Sequence, residues 1–234
     1  ADVGGVGFNF TFMDNAKTAK MSSIEFIRTA TSYNVQDLAG ATIDIYFEEE
    51  TNNLSGTYTV FDLNLKVLDS LIIEENVTFD FRGTHLQFNP GAYLRATKSG
   101  SNLNADGAIF ESIDPQSGAL WSGIVARFVF LQNCEIRNAG GAIVPGASEQ
   151  AGISLMDNGS SASISSCIFE DNIGWGIYNE GTFANIIGGC NFSNNSAGHV
   201  KTFWTNVDAF NTDNTFSPGV VAVEAFDPHN GNSF

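Results

Sequence analysis

Apolar and polar residues alternate in short bursts along most of this chain. Val77, Phe79 and Phe81 alternate with polar neighbours, as do Leu86 and Phe88, and Pro90-Gly91 interrupts the pattern before Ala92-Tyr93-Leu94. Period-two alternation sets apolar side chains on one face of a strand, and the turn residues between bursts supply corners, so the pattern predicts many short strands. Further on, the bursts become a repeat. Leu131-Gln132-Asn133-Cys134-Glu135-Ile136-Arg137-Asn138 aligns with Ile164-Ser165-Ser166-Cys167-Ile168-Phe169-Glu170-Asp171 and with Ile187-Gly188-Gly189-Cys190-Asn191-Phe192-Ser193-Asn194. The Cys-to-Cys steps are 33 and 23 residues, and the excess falls in residues 140–150, whose Gly-Gly-Ala-Ile-Val-Pro-Gly reads as a loop bulging from one turn. A second burst precedes each Cys segment: Ser122-Gly123-Ile124-Val125, Ala151-Gly152-Ile153-Ser154 and Trp175-Gly176-Ile177-Tyr178. There Gly takes the corner and the following Ile turns inward.

A unit of this length holds only a few short strands and cannot bury its own apolar face; stacked copies share one core. Cys134, Cys167 and Cys190 then form one internal column, and Ile136, Phe169 and Phe192 a second. Asn138, Asp171 and Asn194 fall in a third, at a corner, where stacked amides can bond to neighbouring backbone. The outward columns read Glu135, Ile168, Asn191 and Arg137, Glu170, Ser193. The expected fold is all-β, a parallel β-helix in which residues 56–234 make one continuous domain. Residues 1–55 form an atypical N-terminal cap: Phe8, Phe10 and Phe12 alternate as a strand, and residues 22–38 fit either a helix or two further strands. Residues 203–216 and 220–226 continue β-like alternation toward a turn-rich tail.

The stretch 70–195 resembles the extracellular right-handed β-helix proteins of the pectate-lyase-like superfamily. The phrases that carry the resemblance are Leu120-Trp121-Ser122-Gly123-Ile124, Ser163-Ile164-Ser165-Ser166-Cys167-Ile168-Phe169-Glu170-Asp171-Asn172 and Gly174-Trp175-Gly176-Ile177-Tyr178. The resemblance implies a right-handed solenoid at the cell surface or secreted. It says little about activity, because lyases, glycoside hydrolases, tailspikes and adhesins share the fold.

Composition narrows the partners. The 26 acidic against 10 basic residues give a net charge of −16, which repels nucleic acid and anionic lipid and disfavours acidic polysaccharides unless a cation intervenes. Apolar runs are too short for a transmembrane segment. Ala1-Asp2-Val3 suits the N-terminus of a processed secreted chain. Three Cys cannot all pair within one chain, and each reads as a small hydrophobe facing the core. Stacked strands do lie close enough for one pair to oxidise.

Little catalytic chemistry emerges. No outward column offers two carboxylates in succession, as a calcium-bridging or glycoside-hydrolysing site requires. Asn211-Thr212-Asp213 matches the first motif of the polygalacturonase family and Gly198-His199 faintly matches another, but their order is reversed, which makes Asp213 a corner residue. His85, His199 and His229 stand apart with no metal-ligand spacing and read as surface or turn residues, so neither a metal nor a cofactor is expected. Trp121, Trp175, Tyr178 and Trp204 are the candidates for stacking on sugar rings, with packing at rung corners as the competing role for the first two. The function expected is a non-catalytic secreted or cell-surface module: an adhesin segment, a structural spacer or a glycan-binding platform. A polysaccharide-active lyase or glycoside hydrolase using residues 140–150 is the alternative, and an ice-binding face a third. Self-association through the solenoid ends stays open, since a terminal strand can pair edge to edge.

Overall fold

A computed structural model describes residues 56–227 apart from 62–63, 68–69, 74, 157–160, 182–185 and 212, together with strands Ser23–Phe26 and Asn232–Ser233. The expected Phe8–Phe12 alternation and His229 lie outside the described residues. The chain winds into a parallel β-solenoid of about six turns, each turn laying one strand into each of three sheets. One complete turn comprises Phe128–Gln132 in the first sheet, Glu135–Arg137 in the second and Ala151–Leu155 in the third. The next comprises Ser161–Ser165, Ile168–Glu170 and Trp175–Asn179. Ahead of residue 56, Ser23–Phe26 pairs in parallel with Gly56–Phe61 and extends the first sheet.

The register is the one the repeat dictates. Leu131 pairs with Ile164 and Ile164 with Ile187 in the first sheet. Ile136 pairs with Phe169 and Phe169 with Phe192 in the second. Ile124, Ile153, Ile177 and Val200 follow one another in the third. Like side chains therefore stack on like through one continuous buried core. Phe169 lies over Phe192 at 5.0 Å between ring centres and Phe192 over Phe216 at 5.2 Å. Such stacking adds about 0.5–1.5 kcal/mol per pair beyond the area it buries.

The three cysteines sit one above another as free, buried thiols, and the Cys134 amide points at the Cys167 sulfur at 3.4 Å. The neighbouring Cys134 and Cys190 side chains, with burial, push the Cys167 thiol up, away from the reactive thiolate. Immediately before this column the backbone turns through a second one. Gly83, Gly107, Asn133, Ser166, Gly189 and Asp213 all have φ between 53° and 67°. Each of the first five donates its amide to the next turn, from Gly83 to the Asp106 carbonyl at 2.9 Å through Gly189 to the Asp213 carbonyl at 3.0 Å. Asp213 is thus a left-handed corner residue, as expected.

The corner between the second and third sheets departs from expectation. Asn138, Asp171 and Asn194 do stack, but each is left-handed, at φ 53–56°, and Asp171 and Asn194 face solvent. The bonding amides are one residue later. Asn172 Oδ1 accepts from the Ala139 amide at 3.0 Å, Asn172 Nδ2 donates to Asn195 Oδ1 at 2.8 Å, and Asn195 Nδ2 reaches the Phe169 carbonyl at 3.0 Å. The left-handed residue swings the chain around the corner, so the next side chain enters the core. His199, expected at the surface or in a turn, is instead fully buried in the strand Gly198–Phe203 and ends this line: Asn195 Nδ2 lies 3.1 Å from its Nδ1, and its Nε2 donates to the Ser217 carbonyl at 2.9 Å.

Residues 203–216 do not form continuous β-structure. After Gly198–Phe203 the chain makes a 3-10 turn at Trp204–Asn206 and a short helix, Val207–Asn211, before the two-residue strand Thr215–Phe216. The helix packs against Ile186–Gly188, the last strand of the first sheet, and inserts the fully buried Phe210 into the core. Asn214 takes the next place in the cysteine column, its Oδ1 accepting from the Cys190 amide at 3.0 Å. In the third sheet the edge strand Val223–Asp227 is covered by Asn232–Ser233, which pairs antiparallel to it. Among the described residues no helix is long and apolar enough to cross a membrane.

Candidate functional site

Two of the three sheets alternate buried and accessible positions, as a solenoid wall with one wet face must. The third does not. Gly123–Ala126, Ala151–Leu155 and Trp175–Asn179 are buried at every position. The outer column of this sheet reads Arg95, Val125, Ser154, Tyr178, Lys201, Glu224. Val125 is fully buried on that outer side and Tyr178 is 6% exposed. The 140–150 loop accounts for part of the cover. It follows Glu135–Arg137 without forming a strand, buries Val144, and extends Glu149 across to Lys201 two turns on.

Lys201 is the centre of this face. Its Nζ lies 3.2 Å from Glu149 Oε1 and 3.4 Å from Glu224 Oε1, and stands over the rings of Trp175 at 5.4 Å and Phe226 at 6.0 Å. An ammonium sandwiched between carboxylates and aromatic faces is held by Coulomb attraction and by the ring quadrupoles together. Tyr178 stacks on Phe226 at 5.6 Å, and Phe226 meets Phe203 edge to face at 6.4 Å. Phe203 in turn lies 6.0 Å from Trp204. Burial, followed by the Glu180 and Glu149 charges, pushes the Tyr178 phenol well above its ordinary value.

The four aromatic candidates separate on the structure. Trp121 is a core residue: it is 0% exposed, stacks on Phe88 at 4.2 Å and donates its indole N–H to the Arg137 carbonyl at 2.7 Å. A ring covered in this way has no face to offer a ligand. Trp175 and Tyr178 share the outer face with Lys201 and are nearly covered. Trp204 alone of the four is open, at 55%. Lys201, Glu224, Phe203 and Phe226 escaped sequence reasoning, although a signal was there: the 23-residue step carried on from Tyr178 reaches Lys201 and then Glu224.

The acidic groups elsewhere are interleaved with bases. Arg137 bridges Glu135 and Glu170, Arg82 holds Asp80, and His85 Nε2 lies 2.8 Å from Glu111 Oε1. Among the described residues no group of His, Cys, Asp or Glu is placed to hold a metal ion. Nor does the outer column of the third sheet repeat one short polar residue, as an ice-binding ladder would. Fold and face together define the class of protein: a parallel β-solenoid with one sheet covered on its outer side and an aromatic, charged patch at the C-terminal turns. No protein-family model, curated protein or solved structure matches the chain.

Proposed function

We propose that this chain is a non-catalytic, secreted or cell-surface right-handed β-helix module of the pectate-lyase-like kind, presenting the C-terminal end of its third sheet as a glycan-binding, adhesive platform. The observation that carries the reading is the aromatic series Tyr178, Phe226, Phe203, Trp204, in which three rings are buried and the last lies open. An indole backed by packed rings loses little freedom on binding and offers a flat apolar face to a pyranose. Binding rather than cleavage is favoured because Lys201 stands between Glu149 and Glu224, and Arg137 between Glu135 and Glu170. Paired acids of a hydrolase need an open space between them for the sugar and water.

One feature favours the enzymatic alternative, namely that Glu149 and Glu224 approach a common point beside Tyr178. A glycan array run together with a depolymerisation assay on neutral and acidic polysaccharides, with and without calcium, separates the two. The platform reading expects retention of a glycan that Trp204→Ala weakens at least tenfold, with no chain cleavage. Cleavage abolished by Glu149→Gln or Glu224→Gln would establish an enzyme instead.

A further inference from the structure

Phe130 is the most exposed phenylalanine among the described residues, at 48%. It stands on the outer face of the first sheet, in Phe128–Gln132, whose alternation buries Val129 and Leu131 and leaves Phe128, Phe130 and Gln132 accessible. The strands on either side alternate in the same phase. Asn102–Asp106 buries Leu103 and Ala105, and Ser161–Ser165 buries Ala162 and Ile164. Phe128 and Phe130 are therefore two positions apart on one face, about 6.6 Å along the strand.

The register decides what surrounds them. Phe130 lies between Asn104 of the turn before and Ser163 of the turn after, and Phe128 pairs with Ser161. A ring on a sheet face gains most from an aromatic or β-branched partner across the strand. Short polar side chains cannot cover a phenyl face, so the Phe130 ring stands above its neighbours. One exposed apolar residue needs no explanation, but two on one face, framed by amides and hydroxyls, make a bounded apolar spot in a polar sheet. Charge is sparse around it: the nine outward positions of the three strands hold one carboxylate, Asp106, and no base. Asp106 lies at the edge, where its Oδ1 accepts from Asn133 Nδ2 at 3.0 Å. In a chain of net charge −16, such a patch suits an uncharged partner. Two phenylalanine side chains, at about 150–250 Å² each, fall short of the roughly 800 Å² per partner of a stable contact between copies.

We propose that Phe128 and Phe130 form a carbohydrate-binding site for an uncharged polysaccharide laid on the outer face of the first sheet. A pyranose presents an apolar C–H face and a rim of hydroxyls. The C–H face stacks on the two rings, while the rim meets the Asn104 amide and the Ser161 and Ser163 hydroxyls, each of which both donates and accepts. Sheet residues hold these groups on a rigid scaffold, so little order is lost on binding. The site shares with the third-sheet platform the expectation of a sugar, but it stands on another sheet and on other residues, so either can fail alone.

The test is native affinity electrophoresis of the full chain in gels containing hydroxyethylcellulose, glucomannan or dextran, with polygalacturonate as the acidic control. The Trp204→Ala variant is used throughout, so that the third-sheet platform does not contribute. At least one neutral polysaccharide should retard Trp204→Ala, and polygalacturonate should not. Adding Phe130→Ala or Phe128→Ala lowers the association constant at least tenfold, whereas Phe130→Trp, which keeps a ring, retains it. Ser163→Glu, which removes no packing and sets a charge beside the rings, also abolishes retardation and serves if a phenylalanine variant fails to fold. Retardation of the wild type but not of Trp204→Ala overturns this site and leaves the platform standing. Retardation that survives the face variants, is absent altogether, or is stronger in polygalacturonate overturns it as well. So does self-association of the wild type in sedimentation velocity that Phe130→Ala removes, which would give the face to a second copy of the chain.

Discussion

At the scale of single residues, the solenoid depends on a few side chains that no burst of hydrophobicity announces. Asn172 and Asn195 satisfy backbone groups left unpaired where the chain turns from the second sheet to the third, and both are buried. Asn195→Leu strands the Asn172 amide and the Phe169 carbonyl and removes the partner of His199. At about 1–3 kcal/mol for a stranded buried group, urea unfolding should show a loss of about 3 kcal/mol. Asn194→Ala, one residue away at an exposed left-handed corner, should cost about 1 kcal/mol. Equal losses would refute the distinction between ladder and corner. Tyr178 supplies a second residue-level prediction. Its folded-state pKa is raised by burial and by Glu180 and Glu149, so the stability it contributes is complete below the unfolded value of about 10. That contribution disappears as pH rises past this value and through the folded one. The stability of the wild type relative to Tyr178→Phe should hold constant up to about pH 9 and decline above 10 in denaturant titrations; a difference independent of pH would show the phenol to be unperturbed.

Among the elements, corners are more demanding than strands. Three-residue strands such as Glu135–Arg137 and Ile168–Glu170 tolerate variety on the outer face, where Glu135, Ile168 and Asn191 follow one another. Corners are constrained by the turn stacked against them. Gly140 has φ +90°, and a Cβ there would fall on the Ile173 carbonyl; Gly91 has φ +78° with nothing near the same position. Both substitutions to Ala incur left-handed strain of about 1–2 kcal/mol, but Gly140→Ala must also displace the next turn. Thermal denaturation should place Gly140→Ala at least about 2 kcal/mol below Gly91→Ala, a typical overpacking cost. Similar melting temperatures would mean that the corner yields freely. The 140–150 loop begins at this corner, where crowding ends the regular turn and leads the chain outward to Glu149.

For the molecule as a whole, the terminal turn decides whether a solenoid ends or continues. A parallel stack leaves an apolar core and unpaired strand edges at its last turn. Here the short helix Val207–Asn211 stands where the first sheet would have gained another strand, and Phe210 covers the core; the tail strand Asn232–Ser233 occupies the edge of the third sheet. Phe210→Ala should cost about 3–4 kcal/mol, the range for a buried aromatic, and should promote association of chains through the uncovered end, visible in sedimentation velocity as a concentration-dependent shift. A variant that sediments like the wild type and is as stable would show that the helix is not a cap.

The parallel stack, its register and its two inner columns were legible in the letters alone, because a period-two alternation repeated at a constant step leaves only one way for apolar faces to meet. Cys134, Cys167, Cys190 and the Ile and Phe residues two places on state that step three times over. The ladder of Asn172 and Asn195, the helix at 207–211 and the covered outer side of the third sheet were not. Left-handed geometry at Asn194 carries no hydrophobic signature, and it decides that Asn195 rather than Asn194 faces inward. Lys201 meets Glu149 only because a loop crosses two turns. Contacts between turns follow from the coiling of the chain, so their chemistry becomes visible only once the coil is built.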